Sequence, residues 1–408
     1  MKINKLFVLL AALLLTSCNE NNVSQSSINH DLLNYGEYYK VENETANNEY
    51  LAGMCYMEYE WGNKLNDDNV LLAMKNLGVK SLRMWMHFSY FMENPTTINQ
   101  KNANKMHEYL KKAIDMDFQI IGMNHYSYHH EGYFSIGKEK RVDFENPSSK
   151  YSIWLDDYET SWYTLANEFK EITYWEIDNE IDNPDFMYID GAKNDVLNQT
   201  EMAHISLDML YRGSIGIHKA NKANNTIMGG LVDSNGLGKG SSYNNIYTGN
   251  NKEFLEIFYD LIDSGEHGSI YYDDFFQIAA WHPYYYHGTA DDYFVSENNK
   301  IYEIIKRREG KDKKVFLTEF GWTDLAVLDK SQNIIDLYTT LKEKMPYVES
   351  LHYFLLFDKF HENNVGLFDS PLNKDASPKS SAYAYQKVNN GSGKLDFIFR
   401  SIENEKNN

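Results

Sequence analysis

Residues 173–180, Thr-Tyr-Trp-Glu-Ile-Asp-Asn-Glu, form an apolar run that ends abruptly in carboxylates and one carboxamide. This pattern is typical of a buried strand that delivers polar side chains at its C-terminal end. Residues 315–322, Val-Phe-Leu-Thr-Glu-Phe-Gly-Trp, repeat the pattern later in the chain and also carry a glutamate. Either glutamate alone could be a solvated side chain beyond a strand. The pair, Glu180 and Glu319, predicts one shared site.

Short apolar, β-branched or aromatic runs recur along the chain, each followed by a segment with helical spacing. The eight runs lie near residues 50–57, 81–86, 119–124, 173–178, 226–232, 276–281, 314–319 and 350–357. Eight strands alternating with helices predict a single-domain α/β protein, a parallel sheet closed as a (β/α)8 TIM barrel. An open, doubly wound sheet is the alternative. In a barrel, Glu180 and Glu319 end strands 4 and 7 on the face where active sites lie.

The N-terminus has the order of an export signal, with two lysines before an apolar run at residues 6–15. The sequence Leu-Thr-Ser-Cys that ends at Cys18 resembles the lipobox of bacterial lipoproteins, in which cleavage leaves the cysteine as the lipidated first residue. An ordinary cleaved signal is the alternative. We expect a signal peptide over 1–17, a lipidated polar tether over 18–35, the catalytic barrel over 36–400 and a polar tail over 401–408. The expected location is the bacterial cell envelope, anchored to the outer membrane.

Composition excludes some partners. The net charge is −20, from 59 acidic and 39 basic side chains, and we find no basic stripe or phosphate-binding glycine motif, so nucleic acid is not an expected partner. Only two cysteines are present. With Cys18 lipidated, Cys55 has no partner for an internal disulfide, so a large core must stabilise the chain. We expect a monomer.

The two glutamate stretches resemble the retaining glycoside hydrolases of clan A. In that clan the acid/base glutamate follows an asparagine at the end of strand 4, as in Asn179-Glu180, and the nucleophile ends strand 7, as Glu319 does. The resemblance covers nearly the whole mature chain. Families 39 and 5 are nearest, with family 39 slightly ahead for its Trp-Glu-x-x-Asn-Glu strand. The resemblance implies a carbohydrate substrate, cleavage of β-glycosidic bonds by double displacement, and no cofactor or metal.

The resemblance also implies roles for residues at other strand ends. Arg83 matches the clan's arginine that holds the nucleophile ionised. Tyr284 matches the tyrosine that hydrogen-bonds the nucleophile, and His282 is expected to support the nucleophile beside it. Asn179 would hold the sugar 2-hydroxyl, a contact that strengthens in the transition state. An ordinary structural role is the alternative for each residue.

Further side chains near predicted strand ends could line a substrate pocket. Asn124 and His125 follow strand 3. Flat aromatic rings that could stack on sugars are Trp61, Tyr126, Trp281 and Trp322, with core packing as the alternative. Glu176 and Asp178 share the strand parity of Glu180 and could lie deeper in the barrel. The tryptophan that many clan A enzymes place at strand 8 is missing, because residues 350–358 offer only tyrosine and phenylalanine.

Two other functions fit the sequence less well. A non-catalytic carbohydrate-binding barrel of the envelope would have no reason to keep an acid and a nucleophile together. A metal-dependent hydrolase could use the histidines at positions 125, 129 and 130, but no catalytic zinc motif accompanies His125, His129 and His130.

Overall fold

The structure is a computed structural model. It describes residues 51–56, 65–124, 146–183, 197–232, 251–284, 290–322, 329–358, 365–371 and 376–399. The strands are β1 (Ala52–Tyr56), β2 (Ser81–Trp85), β3 (Met92–Asn94), β4 (Thr97–Ile98), β5 (Gln119–Asn124), β6 (Tyr174–Ile177), β7 (Asn225–Met228), β8 (Leu231–Val232), β9 (Ala279–His282), β10 (Val315–Phe320) and β11 (Val348–Tyr353). The α-helices are α1 (Asp67–Leu77), α2 (Phe88–Phe91), α3 (Gln100–Asp115), α4 (Lys150–Glu168), α5 (Gln199–Ala220), α6 (Asn251–Asp263), α7 (Asp292–Glu309), α8 (Lys330–Lys344) and α9 (Ser380–Val388).

Nine parallel strands form one curled sheet in the order β7-β6-β5-β2-β1-β11-β10-β9-β8. Its two ends, β7 and β8, are consecutive in the chain and are two parts of the fifth barrel strand. Ile227 of β7 also pairs in parallel with Ile278, just before β9, and the Met228 amide donates to the Ile278 carbonyl at 3.0 Å. The sheet therefore closes as the predicted (β/α)8 barrel, and the doubly wound alternative is wrong.

All eight predicted runs correspond to barrel strands, but the segment after β2 contains more structure than was predicted. The short helix α2 and the antiparallel pair of β3 with β4 are inserted there before α3. The Asn99 side chain then caps α3 by accepting from the Asn102 amide. These elements extend the chain between the second and third barrel strands.

The barrel interior has two layers because the pleat of each strand sends alternate side chains inward. The lower part contains the apolar cluster Ile121, Ile227, Ile278, Ala280 and Phe316, with Tyr174 packed against it. Buried polar side chains lie there as well: the Ser81 hydroxyl is 3.0 Å from that of Ser350 and 2.9 Å from His352 Nε2. The next inward side chains along the strands are polar, and they include Arg83, Glu176 and His282, all buried. A second, larger apolar cluster lies between the strands and the surrounding helices. Arg83, Glu176 and His282 therefore lie one inward position closer to the C-terminal ends of the strands than this lower part.

Several predictions concern parts of the chain outside the described residues. They are the signal peptide and tether with Cys18, the tail 401–408, and the side chains Trp61, His125, Tyr126, His129 and His130. In the part of the chain that is described, every helix is too short or too polar to cross a membrane.

Candidate active site

The end of β6 brings Glu180 into the barrel mouth through an irregular backbone. The strand ends at Ile177, and both Asp178 and Glu180 have left-handed backbone angles, with φ of 70° and 49°. Side chains other than glycine adopt this conformation rarely, and it often marks functional sites. The Asp178 carboxylate accepts from the Asn179 amide at 2.7 Å. Strand parity therefore holds for Glu176 but does not continue to Asp178 and Glu180.

The end of β10 is irregular as well. The pairing of β10 with β11 shifts register between Leu317 and Phe320, and a shift of this kind can redirect a side chain next to an active site. As a result, two consecutive residues, Thr318 and Glu319, both contact interior groups: Thr318 bonds His282 and Glu319 bonds Arg83. Regular alternation would have sent one of them outward.

Arg83 is the centre of the polar layer. Its side chain is fully buried, and Nε and Nη2 donate to the two carboxylate oxygens of Glu176 at 2.6 and 3.1 Å. Nη2 also donates to Oδ1 of Asn179 at 2.8 Å, and Nη1 donates to Oε2 of Glu319 at 3.2 Å. The predicted partner Glu319 is thus one of three, and Glu176 forms the closer, two-point ion pair.

The guanidinium of Arg83 stays charged inside the barrel. Burial opposes its charge, but the carboxylates of Glu176 and Glu319 outweigh burial and raise the pKa of Arg83. Glu176 also accepts from the Gly230 amide at 3.2 Å. The site therefore contains a permanent buried cation whose charge is shared between two carboxylates.

Glu319 has a second donor on its other oxygen. The Tyr284 hydroxyl donates to Oε1 of Glu319 at 2.8 Å. Burial, reinforced by the Glu319 charge, raises the pKa of Tyr284 well above 10, so the phenol remains a donor. One oxygen of Glu319 faces a cation and the other a phenol, and the side chain is still 13% exposed. Both oxygens of Glu319 therefore accept from buried donors while part of the side chain remains accessible.

Glu180 is held by a different pair of neighbours. The Asn183 carboxamide donates to Oε2 at 2.6 Å, and His282 Nδ1 lies 3.1 Å from Oε1. The sequence prediction gave His282 a supporting role toward the nucleophile, and its position at the end of β9 gives the ring a direct contact with Glu180. A ring nitrogen of His282 also lies within 4.8 Å of a Glu319 oxygen, so the role toward Glu319 stays a prediction.

His282 is fitted tightly between two strand ends. Nε2 lies 3.1 Å from the Thr318 hydroxyl, and a Cβ at Gly230 would lie 2.3 Å from the same nitrogen, so only glycine fits there. Burial, helped by the charge of Arg83, lowers the pKa of His282 to about 4. The ring is therefore neutral near pH 7.

The two glutamates lie close together. One carboxylate oxygen of Glu180, one of Glu319 and a ring nitrogen of His282 all lie within 4.8 Å of one another. Such a group could in principle hold a metal ion. The Arg83 cation 3.2 Å from Glu319 argues against that use, because it already neutralises the carboxylate and would repel a second cation.

Three of the residues predicted to contact substrate, Asn179, Asn124 and Trp322, are largely buried. Asn179 is buried beside Arg83. Asn124 accepts from the Phe88 amide at 3.0 Å, which places it at the start of α2, and its buried Nδ2 has no partner among the described residues. Trp322 is buried and packs edge-on against Phe320, with ring centres 4.8 Å apart. Sugar contacts by these residues remain predictions.

Trp281 is wrongly predicted as a substrate contact. Its ring is fully buried and Nε1 donates to Oδ1 of Asn298 on α7 at 2.6 Å. The neighbouring His282 points inward, so the pleat of β9 sends Trp281 outward toward the helices. The ring belongs to the core between barrel and helix.

Sequence reasoning gave no role in the site to Asn183, Thr318 and Gly230. It placed Glu176 deeper in the barrel but did not predict its contact with Arg83. Asn183 and Thr318 contact the glutamate and histidine side chains directly. Gly230 makes room for His282, and Glu176 is the main partner of Arg83. The strand parity of Glu176 indicated that its side chain faces the barrel interior. The Gly229-Gly230 pair, which interrupts the fifth strand, was the sequence signal for the close approach of His282 to the backbone of Gly230.

Comparison with solved structures places the fold among glycoside hydrolases. A GH5-4 broad specificity endoglucanase from Clostridium longisporum superimposes with a TM-score of 0.58 at 14% identity, over 85% of this chain and 97% of that chain. A family 39 glycoside hydrolase from Bacteroides cellulosilyticus WH2 gives 0.53 at 16% identity, over 85% and 64%. PbGH5A, a family 5 enzyme from Prevotella bryantii B14, gives 0.53 at 13%, over 85% and 99%.

Sequence comparison adds nothing to this likeness, because no family model and no curated protein matches the chain. At such low identity, the likeness shows the fold alone. The chain therefore has the (β/α)8 fold that glycoside hydrolases of families 5 and 39 use.

Proposed function

We propose that this protein is a retaining glycoside hydrolase that cleaves β-glycosidic bonds of a poly- or oligosaccharide by double displacement. Glu180 is the acid/base and Glu319 the nucleophile. The observation that carries the proposal is that one oxygen of Glu180 and one of Glu319 lie within 4.8 Å of each other in different environments, which favours the closer of the two spacings that glycosidases use. Retaining enzymes place their carboxyl groups about 5–5.5 Å apart, whereas inverting enzymes leave about 6.5–9.5 Å for a water molecule.

The first step forms a glycosyl ester. An ionised Oε of Glu319 attacks the anomeric carbon while Glu180 gives its proton to the leaving glycosidic oxygen. Arg83 and Tyr284 keep Glu319 ionised and fix its orientation. In the second step Glu180, now ionised, takes a proton from water, and that water releases the sugar from Glu319.

The neighbours of Glu180 suit a group that alternates between two charge states. Neutral His282 carries one proton, so Nδ1 can donate to ionised Glu180 or accept from protonated Glu180. The Thr318 hydroxyl can rotate to donate to or accept from Nε2 in step with that change. Asn183 donates to the other oxygen in both states.

The site also suggests how the sugar is positioned. Arg83 occupies Oδ1 of Asn179, which leaves the amide nitrogen as the group to donate to the sugar 2-hydroxyl. This supports the contact that the clan A resemblance implies, and it would strengthen in the transition state.

The test is a panel of plant, algal and host glycans with sizing of the products. Wild-type protein should degrade at least one, and Glu319→Gln should lose turnover while unfolding as wild type does, because the change is nearly isosteric but removes the attacking charge. Tyr293→Phe, an exposed substitution on α7, is the matched control and should retain full activity. Near-normal turnover by Glu319→Gln would overturn the assignment.

We also propose that Cys18 carries a lipid anchor and that the enzyme acts at the bacterial cell envelope. The lipobox-like sequence supports this. The wild-type chain produced in bacteria should partition into the detergent phase and Cys18→Ala should not. Equal partitioning of both would contradict the anchor.

A further inference from the structure

A second cluster of metal-ligand side chains lies outside the barrel, away from the glutamates. His204 is on α5, and Glu266 and His267 lie in the loop that follows α6. One ligand atom from each lies within 4.8 Å of the others. His204 Nδ1 is 3.0 Å from His267 Nε2 and 3.8 Å from Glu266 Oε1.

We propose that His204, His267 and Glu266 form a zinc site on the outer face of the barrel, with water as the fourth ligand. Two imidazoles and a carboxylate are a donor set that Zn²⁺ accepts, whereas Ca²⁺ and Mg²⁺ prefer all-oxygen sites. Bonds of about 2.0–2.1 Å at a tetrahedral zinc separate two ligand atoms by about 3.3 Å. The separations of 3.0 and 3.8 Å lie on either side of that value.

Groups behind His267 prepare it as a ligand. His267 Nδ1 donates to Oδ1 of Asp208 at 2.7 Å, and the Tyr151 hydroxyl donates to the other Asp208 oxygen at 2.7 Å. Asp208 thereby fixes the proton on Nδ1 and leaves the lone pair of Nε2 facing His204. A carboxylate that accepts from the far nitrogen of a ligating histidine is a usual feature of zinc sites.

The loop that carries two of the ligands is pressed against α5. The Tyr211 hydroxyl donates to the Gly268 carbonyl at 3.3 Å. Gly268 has φ of +89°, and a Cβ there would lie 2.7 Å from the Tyr211 ring. The glycine therefore permits both the turn and the close approach, which fixes the preceding His267 beside the helix.

The solvent exposure of the three side chains decreases from Glu266 to His267, which leaves a path for an ion from solvent. The side chain of Glu266 is 40% exposed, that of His204 is 21% exposed, and that of His267 is 0% exposed. An ion could therefore enter from solvent past Glu266 and bind against a buried wall.

Metal binding needs one rearrangement of protons. Since His267 Nε2 accepts, His204 Nδ1 donates to it in the metal-free state. That proton must leave Nδ1 of His204 before the nitrogen can bind zinc. The bound ion would join the loop after α6 to α5, the helix that follows the strand end bearing Glu180.

The test uses the tag-free, full-length mature protein, dialysed against EDTA and titrated with Zn²⁺ by calorimetry. We expect one equivalent to bind and to raise the unfolding temperature. His204→Ala and His267→Gln should lose that binding, and Asp208→Asn should weaken it by about 10–100-fold. His204 is partly exposed, so its variant should fold even if the buried His267→Gln does not.

His107 provides the matched control, because its ring lies between Glu168 and Glu171 on the outside of the barrel and, among the described residues, no second histidine joins it in a group of metal ligands. His107→Ala should bind zinc as wild type does. Absence of binding to wild type, or undiminished binding to His204→Ala, would overturn the site. Glycan hydrolysis by His204→Ala should equal that of wild type, so failure of this proposal is distinct from failure of the proposed glycosidase.

Discussion

Arg83 and Glu176 form a fully buried, two-point ion pair beneath Glu180 and Glu319, with contacts of 2.6 and 3.1 Å. The pair fixes the planar guanidinium inside the barrel, and Nη1 of Arg83 donates to Oε2 of Glu319 at 3.2 Å. Glu176 therefore orients the guanidinium of Arg83, and the same guanidinium also forms the weaker, single-contact ion pair with Glu319. If Glu319 is the nucleophile as proposed, the electrostatic effect of the Arg83 cation on the reaction should be separable from its effect on stability.

The first prediction concerns Arg83. In Arg83→Ala, the ionised form of Glu319 loses its cation, so the acidic limb of the kcat/KM profile should move to higher pH, and the maximum should fall about 10²–10³-fold. Arg83→Lys should restore the limb only in part, because an ammonium cannot form the two-point contact with Glu176. The free-enzyme profile is the proper measurement, since it reports groups before substrate binds.

Stability separates this effect from a structural one. Arg83→Ala leaves Glu176 as an uncompensated buried charge and should cost roughly 3–5 kcal/mol of unfolding free energy. Lys111→Ala, which breaks the exposed pair with Asp115, is the control and should cost about 0–1 kcal/mol. If Arg83→Ala loses stability but keeps the rate and the acidic limb, then Arg83 is only a structural ion pair.

The second prediction concerns Glu180 as the acid. Glu180→Ala should slow substrates with poor leaving groups about 10²–10⁴-fold, and activated aryl glycosides much less, because a good leaving group needs no proton. Azide should rescue the second step by replacing the activated water. Asn183→Ala, which removes the 2.6 Å contact to Glu180 but leaves the carboxyl group in place, should show a smaller loss without azide rescue. Equal losses on both substrate types, with no rescue, would remove Glu180 from the role.

The third prediction concerns the buried His282. Its pKa is lowered to about 4 from 6.5, so the folded state binds the proton less well than the unfolded state. Its contribution to stability is complete above about pH 6.5 and is lost as pH falls toward 4. Urea unfolding of His282→Gln should therefore show a weaker fall in stability between pH 6.5 and 4.5 than wild type.

Two other buried histidines act in the same direction. Burial also lowers the pKa of His218 to about 4 and of His352 to about 3, so the slope should shrink rather than vanish. His107 is the opposite control: although burial opposes its charge, its hydrogen bonds to Glu168 and Glu171 raise its pKa. The contribution of His107 to the free energy of unfolding is therefore present at low pH and is lost as pH rises. An unchanged acid slope in His282→Gln would contradict the neutral buried ring.

The fourth prediction concerns the close approach of Gly230 to His282. A Cβ at residue 230 would lie 2.3 Å from His282 Nε2 and 2.7 Å from the Thr318 hydroxyl, so Gly230→Ala should displace the ring and lower kcat more than it raises KM. Gly310→Ala lies at a helix end with φ of +66°, where an added Cβ would meet no atom of the described residues within 4 Å, so this variant should lose stability but keep its activity. Normal kcat in Gly230→Ala would show that the position of His282 does not matter for turnover.

Much of the fold was predictable because strand and helix periods alternate so regularly. The two glutamate stretches were enough to place Glu180 and Glu319 at the ends of β6 and β10. The error at Trp281 was avoidable, because strand alternation with His282 already indicates an outward ring.

Other features could not be read from the sequence. The left-handed backbone at Asp178 and Glu180, and the register shift in β10, arise from tertiary packing rather than from local preference. The partner of His282 depends on how strand ends converge across the barrel. The preference of Arg83 for Glu176 likewise depends on distances across the interior.

The most direct test is to trap the intermediate. Wild-type protein should be incubated with activated 2-deoxy-2-fluoro β-glycosides of several sugars, and the labelled peptide located by mass spectrometry. The account predicts one covalent sugar, attached as an ester to Glu319 and missing in Glu319→Gln. An ester on any other residue, or turnover with inversion and no trapped sugar, would contradict it.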